Sequence, residues 1–313
     1  MTGRKQTLIR SGLGLGVSLM LYAGSASAAG IIPPDCVLGA SGVFEEDCIY
    51  FMEIPHKNYT RSYKLLVPEG FDPTEPSPLV VDFHGYGSAK SNQVSASCWK
   101  DKAREEGFIV AYPHGTGFPN SFSAGDYCCF SFAPARDDVQ FPKDIVADVK
   151  SMLNIDASRV YATGLSNGGA VSHHLGCKAT EVFTGVAPVS QTFAKRNWEN
   201  CLGEGVESIP VVDFRAKDDG VIPYANSPLW ISAALSAEKW ANTLQCDVDP
   251  QSGEFITAPY GPVTSPYGQE CVEFQGCTSS LVQCGLNDAG HVPYYTSATN
   301  VCDTAWDFFE AQP

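Results

Sequence analysis

Seven short apolar runs set the terms on which this chain can fold. They fall at Tyr63–Val67, Leu79–Phe83, Phe108–Tyr112, Arg159–Leu165, Gly185–Val189, Pro210–Phe214 and Leu281–Cys284. A strand with one wet face alternates apolar and polar residues. An unbroken apolar run instead suits a strand covered on both faces, as in a parallel sheet between layers of helix. Apolar residues at helical spacing predict those layers over Asn92–Glu106, Asp138–Leu153, Asn167–Lys178, Trp230–Leu244 and Ser297–Glu310. Strands alternating with crossover helices imply a right-handed α/β architecture, a mostly parallel central sheet with helices on both faces. No internal repeat and no Ser/Pro-rich linker interrupts the pattern, so residues 29–313 read as a single domain.

The first 28 residues follow a different logic. Arg4, Lys5 and Arg10 precede an apolar stretch from Leu13 to Tyr22, and Ala26-Ser27-Ala28 offers the small residues a signal peptidase accepts. The stretch is about half the ~20 residues that a bilayer crossing needs. Residues 1–28 are therefore expected to be a secretory signal and not a membrane anchor. Twelve cysteines agree with export, to the medium or to a periplasm, because so many thiols persist as disulfides in an oxidising compartment. Removing the segment takes away three cations and no acid, moving the formal charge from −15 to −18. A phosphate-tracking surface needs the opposite sign, so nucleic acid is not an expected partner.

Chemistry enters with Gly164-x-Ser166-x-Gly168, which stands between a predicted strand and a predicted helix. A serine on a sharp strand-to-helix turn is held out as a nucleophile. Positions two before and two after it must lack a bulky side chain so that strand and helix can approach. The bland alternative is a Gly-rich connection with a capping serine. Six histidines are available as the base, and only His291 lies beyond every candidate acid in the order Ser, acid, His. Its setting, Asn287-Asp-Ala-Gly-His-Val-Pro293, is a loop after an apolar run. The acid is sought just past a strand end, where Lys217-Asp218-Asp219-Gly220 follows Pro210–Phe214. Asp219 is preferred because Gly220 can supply the turn beyond it, with Asp218 the other candidate.

Oxyanion donors are expected from the backbone N–H of Asn167, directly after the nucleophile, and of Tyr86 in the glycine-bearing loop after Leu79–Phe83. His84 then shapes that loop. His173 and His174, about 100° apart on one helix, cannot easily share a ligand and read as structural. No metal-binding, Walker or dinucleotide motif is present, so no cofactor or metal is expected. Tyr224, Trp198 and Tyr294 are the candidate substrate-binding aromatics, with Tyr86 and Trp230 also considered. The cysteines between Cys246 and Cys284 are expected to form bridges that pin the segment before His291, and the adjacent Cys128 and Cys129 to bond to different partners.

Taken together these segments resemble the secreted α/β-hydrolase esterases that include feruloyl (cinnamoyl) esterases and polyhydroxybutyrate depolymerases. The matching pieces run from residue 80 to residue 291: Val80-Val-Asp-Phe-His-Gly-Tyr-Gly87, Val110-Ala-Tyr-Pro-His-Gly-Thr116, Ala124-Gly-Asp-Tyr-Cys-Cys129, Asp137-Asp-Val-Gln-Phe141, the segment around Ser166, Asp219-Gly-Val-Ile-Pro-Tyr224 and Ala289-Gly-His291. The resemblance implies a disulfide-rich α/β-hydrolase fold and a serine carboxylesterase with Ser166, Asp219 and His291 at the triad positions. It implies small or polymeric ester substrates: aryl esters first, then polyhydroxybutyrate or other oligoesters, then acetylxylan. A peptidase of the same fold and a non-catalytic binding scaffold are the competing readings. Two departures stand near the presumed cleft: Phe214-Arg215-Ala216 where the family has a His-Gly pair, and Val292-Pro293-Tyr294 where it often has Thr-Trp-Pro.

Overall fold

A computed structural model of the chain describes residues 39, 42–124, 136–192, 207–261, 269–295 and 301–312. Ten strands form one sheet: β1 (Cys48–His56), β2 (Tyr59–Val67), β3 (Ser77–Phe83), β4 (Ile109–Pro113), β5 (Ile155–Leu165), β6 (Gly185–Val189), β7 (Val211–Ala216), β8 (Thr257–Pro259), β9 (Gln269–Phe274) and β10 (Leu281–Leu286). Their order is β1-β2-β4-β3-β5-β6-β7-β10-β9-β8. From β4 to β10 all neighbours are parallel, and these are the seven predicted runs without Tyr63–Val67, which became β2. Antiparallel pairs flank them, β1 and β2 on one side and β9 and β8 on the other. The flanks were not predicted apart from β2. β1 is exposed at alternate residues and carries Glu53 and Pro55, and β9 carries Glu270 and Glu273, so neither presents an apolar run.

Alternation of side chains across the strands divides the core in two. Leu79, Val81, Val160, Ala162, Val186 and Val211 pack against α3 (Gln140–Met152), α4 (Asn167–Lys178) and α5 (Ala233–Thr243). Val80, Val110, Ala187, Val212, Phe214 and Val282 pack on the other face against α1 (Lys90–Ala96), α2 (Trp99–Glu106) and α6 (Val301–Glu310). The helix expected over Asn92–Glu106 is thus two helices. The chain is extended at Ser97, whose hydroxyl donates to the buried Asp82 carboxylate, and Cys98 is bonded to Cys302. These fixed partners override a spacing that suits one continuous helix.

All eight described cysteines are disulfide-bonded. Cys98–Cys302 ties the α1–α2 junction to α6, Cys271–Cys284 joins facing residues of β9 and β10, and Cys246–Cys277 staples the end of α5 to the turn before β10. Two bridges therefore lie in the predicted 246–284 stretch. Cys128 and Cys129 lie outside the described residues. Among the described residues no helix is long and apolar enough to cross a membrane.

Candidate active site

One row of aligned residues crosses four parallel strands: Leu165 pairs with Val189, Val189 with Phe214, and Phe214 with Cys284, while Gly164, one residue back on β5, pairs with Phe83 of β3. Ser166 follows β5 at once, Asp219 follows β7 by three residues, and His291 follows β10 by five. All three leave the carboxyl edge of the sheet, where α/β folds assemble sites.

Ser166 stands at the N-cap of α4 with φ 56° and ψ −115°, a conformation costly for any residue with a Cβ. Its hydroxyl makes no capping bond, so it is not a simple helix cap. Crowding explains the flanking glycines. A Cβ on Gly168 sits 2.1 Å from the Phe83 carbonyl oxygen, and one on Gly164 sits 2.7 Å from the same atom. The turn is fixed by the Ser166 N–H donating to Val189 O at 2.9 Å. The Asn167 N–H is the first of α4 and stands at the positive end of the helix dipole.

Across the edge, His291 Nδ1 lies 2.8 Å from Asp219 Oδ2. Asp219 is buried; Oδ1 accepts the N–H groups of Val221 at 2.8 Å and Ile222 at 2.9 Å. Burial pushes this carboxyl up, but the imidazole and the two N–H groups outweigh it, and its pKa ends below the ordinary value. The turn is therefore made by the Asp219 carboxylate, and not by Gly220 as the sequence suggested. Gly220 has no left-handed φ, and a Cβ on it meets open space. Asp218 faces elsewhere: its Oδ1 accepts from Ala289 N at 3.1 Å and Gly290 N at 3.0 Å.

No family model matches the chain. It is 26% identical over 254 residues to feruloyl esterase B of Piromyces equi, an alignment covering 77% of this chain and 43% of that protein. It is 27% identical over 265 residues to the probable feruloyl esterase C of Aspergillus niger, covering 82% and 86% respectively. Among solved structures, the acetyl xylan esterase from Aspergillus awamori superposes with a TM-score of 0.60 at 15% identity, over 83% of this chain and 99% of that one. The chain has the α/β-hydrolase fold and is similar in sequence to feruloyl esterases.

Several supports of the candidate site had no signal in the sequence. The Asn167 side chain is a clamp: Oδ1 accepts from Phe122 N at 2.8 Å and Nδ2 donates to Phe122 O at 3.0 Å. The 114–124 loop is anchored beneath by a buried Arg61–Asp138 pair, 2.8 Å apart, with Asp138 Oδ2 accepting from Ser123 N. Arg215, the departure from the family's His-Gly, is buried under the acid turn and donates to Ile222 O at 3.1 Å. Only the departure itself hinted at it.

His84 and His173 are held by fixed partners. Gly115 N donates to His84 Nε2 at 2.9 Å, which puts the proton on Nδ1, where it is given to Gly85 O at 2.7 Å. Burial pulls this imidazole down to about 4, so it stays neutral and holds two loops together. His173 accepts from Trp240 Nε1 at 3.0 Å and donates to Gln191 O at 3.1 Å, and burial pulls it down to about 3. Of the candidate aromatics, Tyr86 is exposed on its loop. Tyr294 is buried in the core layer that holds Tyr112 and Trp99, so it cannot be a cleft wall as expected. Tyr224 is half-buried, its hydroxyl 3.4 Å from where a Cβ on Gly285 would stand, and Trp198 lies outside the described residues.

Proposed function

We propose that this hydrolase is an exported serine carboxylesterase that cleaves aryl esters of the feruloyl or cinnamoyl type through Ser166, Asp219 and His291. The observation that carries the reading is the 2.8 Å Asp219–His291 contact on the edge where Ser166 occupies a strained strand-to-helix turn. Asp219, ionised, accepts from Nδ1–H and leaves Nε2 of His291 as the base. Nε2 takes the Ser166 proton as the oxygen attacks the ester carbonyl. The oxyanion is met by the N–H groups of Asn167 and Tyr86, each such donor contributing about 3 kcal/mol. His291 returns the proton to the leaving alcohol, and water repeats the sequence on the acyl-enzyme.

An aryl acyl group is favoured by the relatives' names and by apolar side chains left exposed on the same edge. Tyr86 and Phe118 lie on one side, with Val221 and Val292 beside Asp219 and His291 on the other. Export is supported by the complete pairing of the described cysteines, and residues 29–313 are read as its single catalytic domain. The test is a panel of methyl ferulate, short p-nitrophenyl esters, acetylated xylan, hydroxybutyrate oligomers and a peptide amide, run with wild type and Ser166→Ala. Methyl ferulate is expected to be the best substrate, and the variant to lose about 10⁴-fold or more. Near-wild-type turnover by the variant sinks the mechanism; faster cleavage of another panel member reassigns the substrate.

A further inference from the structure

The two adjacent carboxylates after β7 do different work on the same loop. Backbone pairing of β7 with β10 ends at Ala216 and Leu286. Beyond it three successive residues grip that loop in order. Lys217 N donates to Leu286 O at 2.8 Å, Asp218 Oδ1 accepts from Ala289 N and Gly290 N, and Asp219 Oδ2 meets His291 Nδ1. We propose that Asp218 is a positioning residue for the base, holding through the N–H groups of Ala289 and Gly290 the turn that delivers His291 to Asp219. The inference rests on the triad reading above.

The loop needs such a hold. Between Leu286 and His291 the chain passes through left-handed backbone twice, at Asp288 with φ 51° and Gly290 with φ 61°. Such a turn is one of several that a short segment can adopt, and no strand partner remains to select it. A carboxylate oxygen taking two consecutive N–H groups selects one, with bonds stronger than neutral ones. Asp218 is exposed, so the contact adds little to global stability. Its effect is on the angle and depth of the imidazole one residue further on, where a displacement of about 1 Å costs about 100-fold in rate. Asp218 never touches the reacting atoms. What it supplies is an acceptor at a fixed place, which an amide oxygen also supplies and a methyl group does not.

The experiment compares wild type, Asp218→Ala, Asp218→Asn and Ser166→Ala by kcat and KM on a soluble p-nitrophenyl ester, by the rate of labelling with a fluorophosphonate, and by Tm. Asp218→Ala is expected to lower kcat and the labelling rate about 10- to 30-fold, with KM within about twofold and Tm nearly unchanged. Asp218→Asn is expected to recover kcat to within about threefold of wild type. A merely structural role moves Tm and the active fraction while leaving kcat per labelled site intact, and that result overturns the proposal. So does an Asn variant as slow as the Ala variant, which makes the charge and not the acceptor the cause. If Asp218→Ala turns over like wild type while Ser166→Ala is dead, this proposal alone fails. If Ser166→Ala stays active, the triad reading fails and takes this one with it.

Discussion

Ser166, the proposed nucleophile, and His291, the proposed base, reach the same edge of the sheet by different means. On the nucleophile side β3, β5 and the start of α4 press together so closely that Gly168 and Gly164 have no room for a methyl group against Phe83. Ser166 is placed chiefly by close backbone approach, between segments whose ends at the site are buried. On the base side β7 and β10 end in loops that hold each other by side chains, and β9 and β10 are stitched by Cys271–Cys284. One side is fixed by exclusion, the other by attachment. Damage to the first should appear as loss of fold, and damage to the second as loss of alignment.

The sharpest way to break this contrast is Gly168→Ala. The new methyl meets a backbone oxygen that cannot move aside, so roughly 4 kcal/mol or more of stability should go, measured by urea unfolding. A soluble, active variant at wild-type midpoint would erase the distinction. Replacing both Cys271 and Cys284 by Ala should cost about 3 kcal/mol by the loop-entropy account, with activity lost at a lower temperature than far-UV structure. Asn167→Ala crosses the two classes, since it unpairs the buried N–H and C=O of Phe122: about 2 kcal/mol, and a fall in kcat through the oxyanion site. Gly220→Ala, on the base side, should be within about 0.5 kcal/mol of wild type. The smallest signal is spectroscopic. The imidazoles of His84 and His173, held down by burial to about 4 and about 3, should keep their neutral NMR shifts as pH falls from 8 to 5. Titration of either in that window would show that the nucleophile side is wetter than its packing requires.

The same division explains what the sequence made legible. Strands buried on both faces announce themselves as apolar runs, and the Gly164-x-Ser166-x-Gly168 turn is local, so its residues could be named from spacing. The base side is held by contacts about 70 residues apart, which leave no pattern in either segment. His291 was found by elimination, and Asp219 was preferred over Asp218 for a reason the structure does not uphold, since Gly220 does not make the turn. Tyr294 reads as cleft from its place three residues after His291, yet three residues suffice to turn a ring from the mouth into the core. The antiparallel flanks were missed because a half-exposed strand with interspersed charges carries no unbroken apolar run.

The Cys98–Cys302 bond closes a covalent ring across 204 positions, and Ser166, Asp219 and His291 all lie inside it. A protease that cuts any single peptide bond between those cysteines produces two polypeptides that cannot separate until the disulfide is reduced. In an environment shared with digestive enzymes, a first nick in a surface loop is then a scar and not a dissection: the fragments remain at high effective concentration, and the sheet that both of them build can hold together.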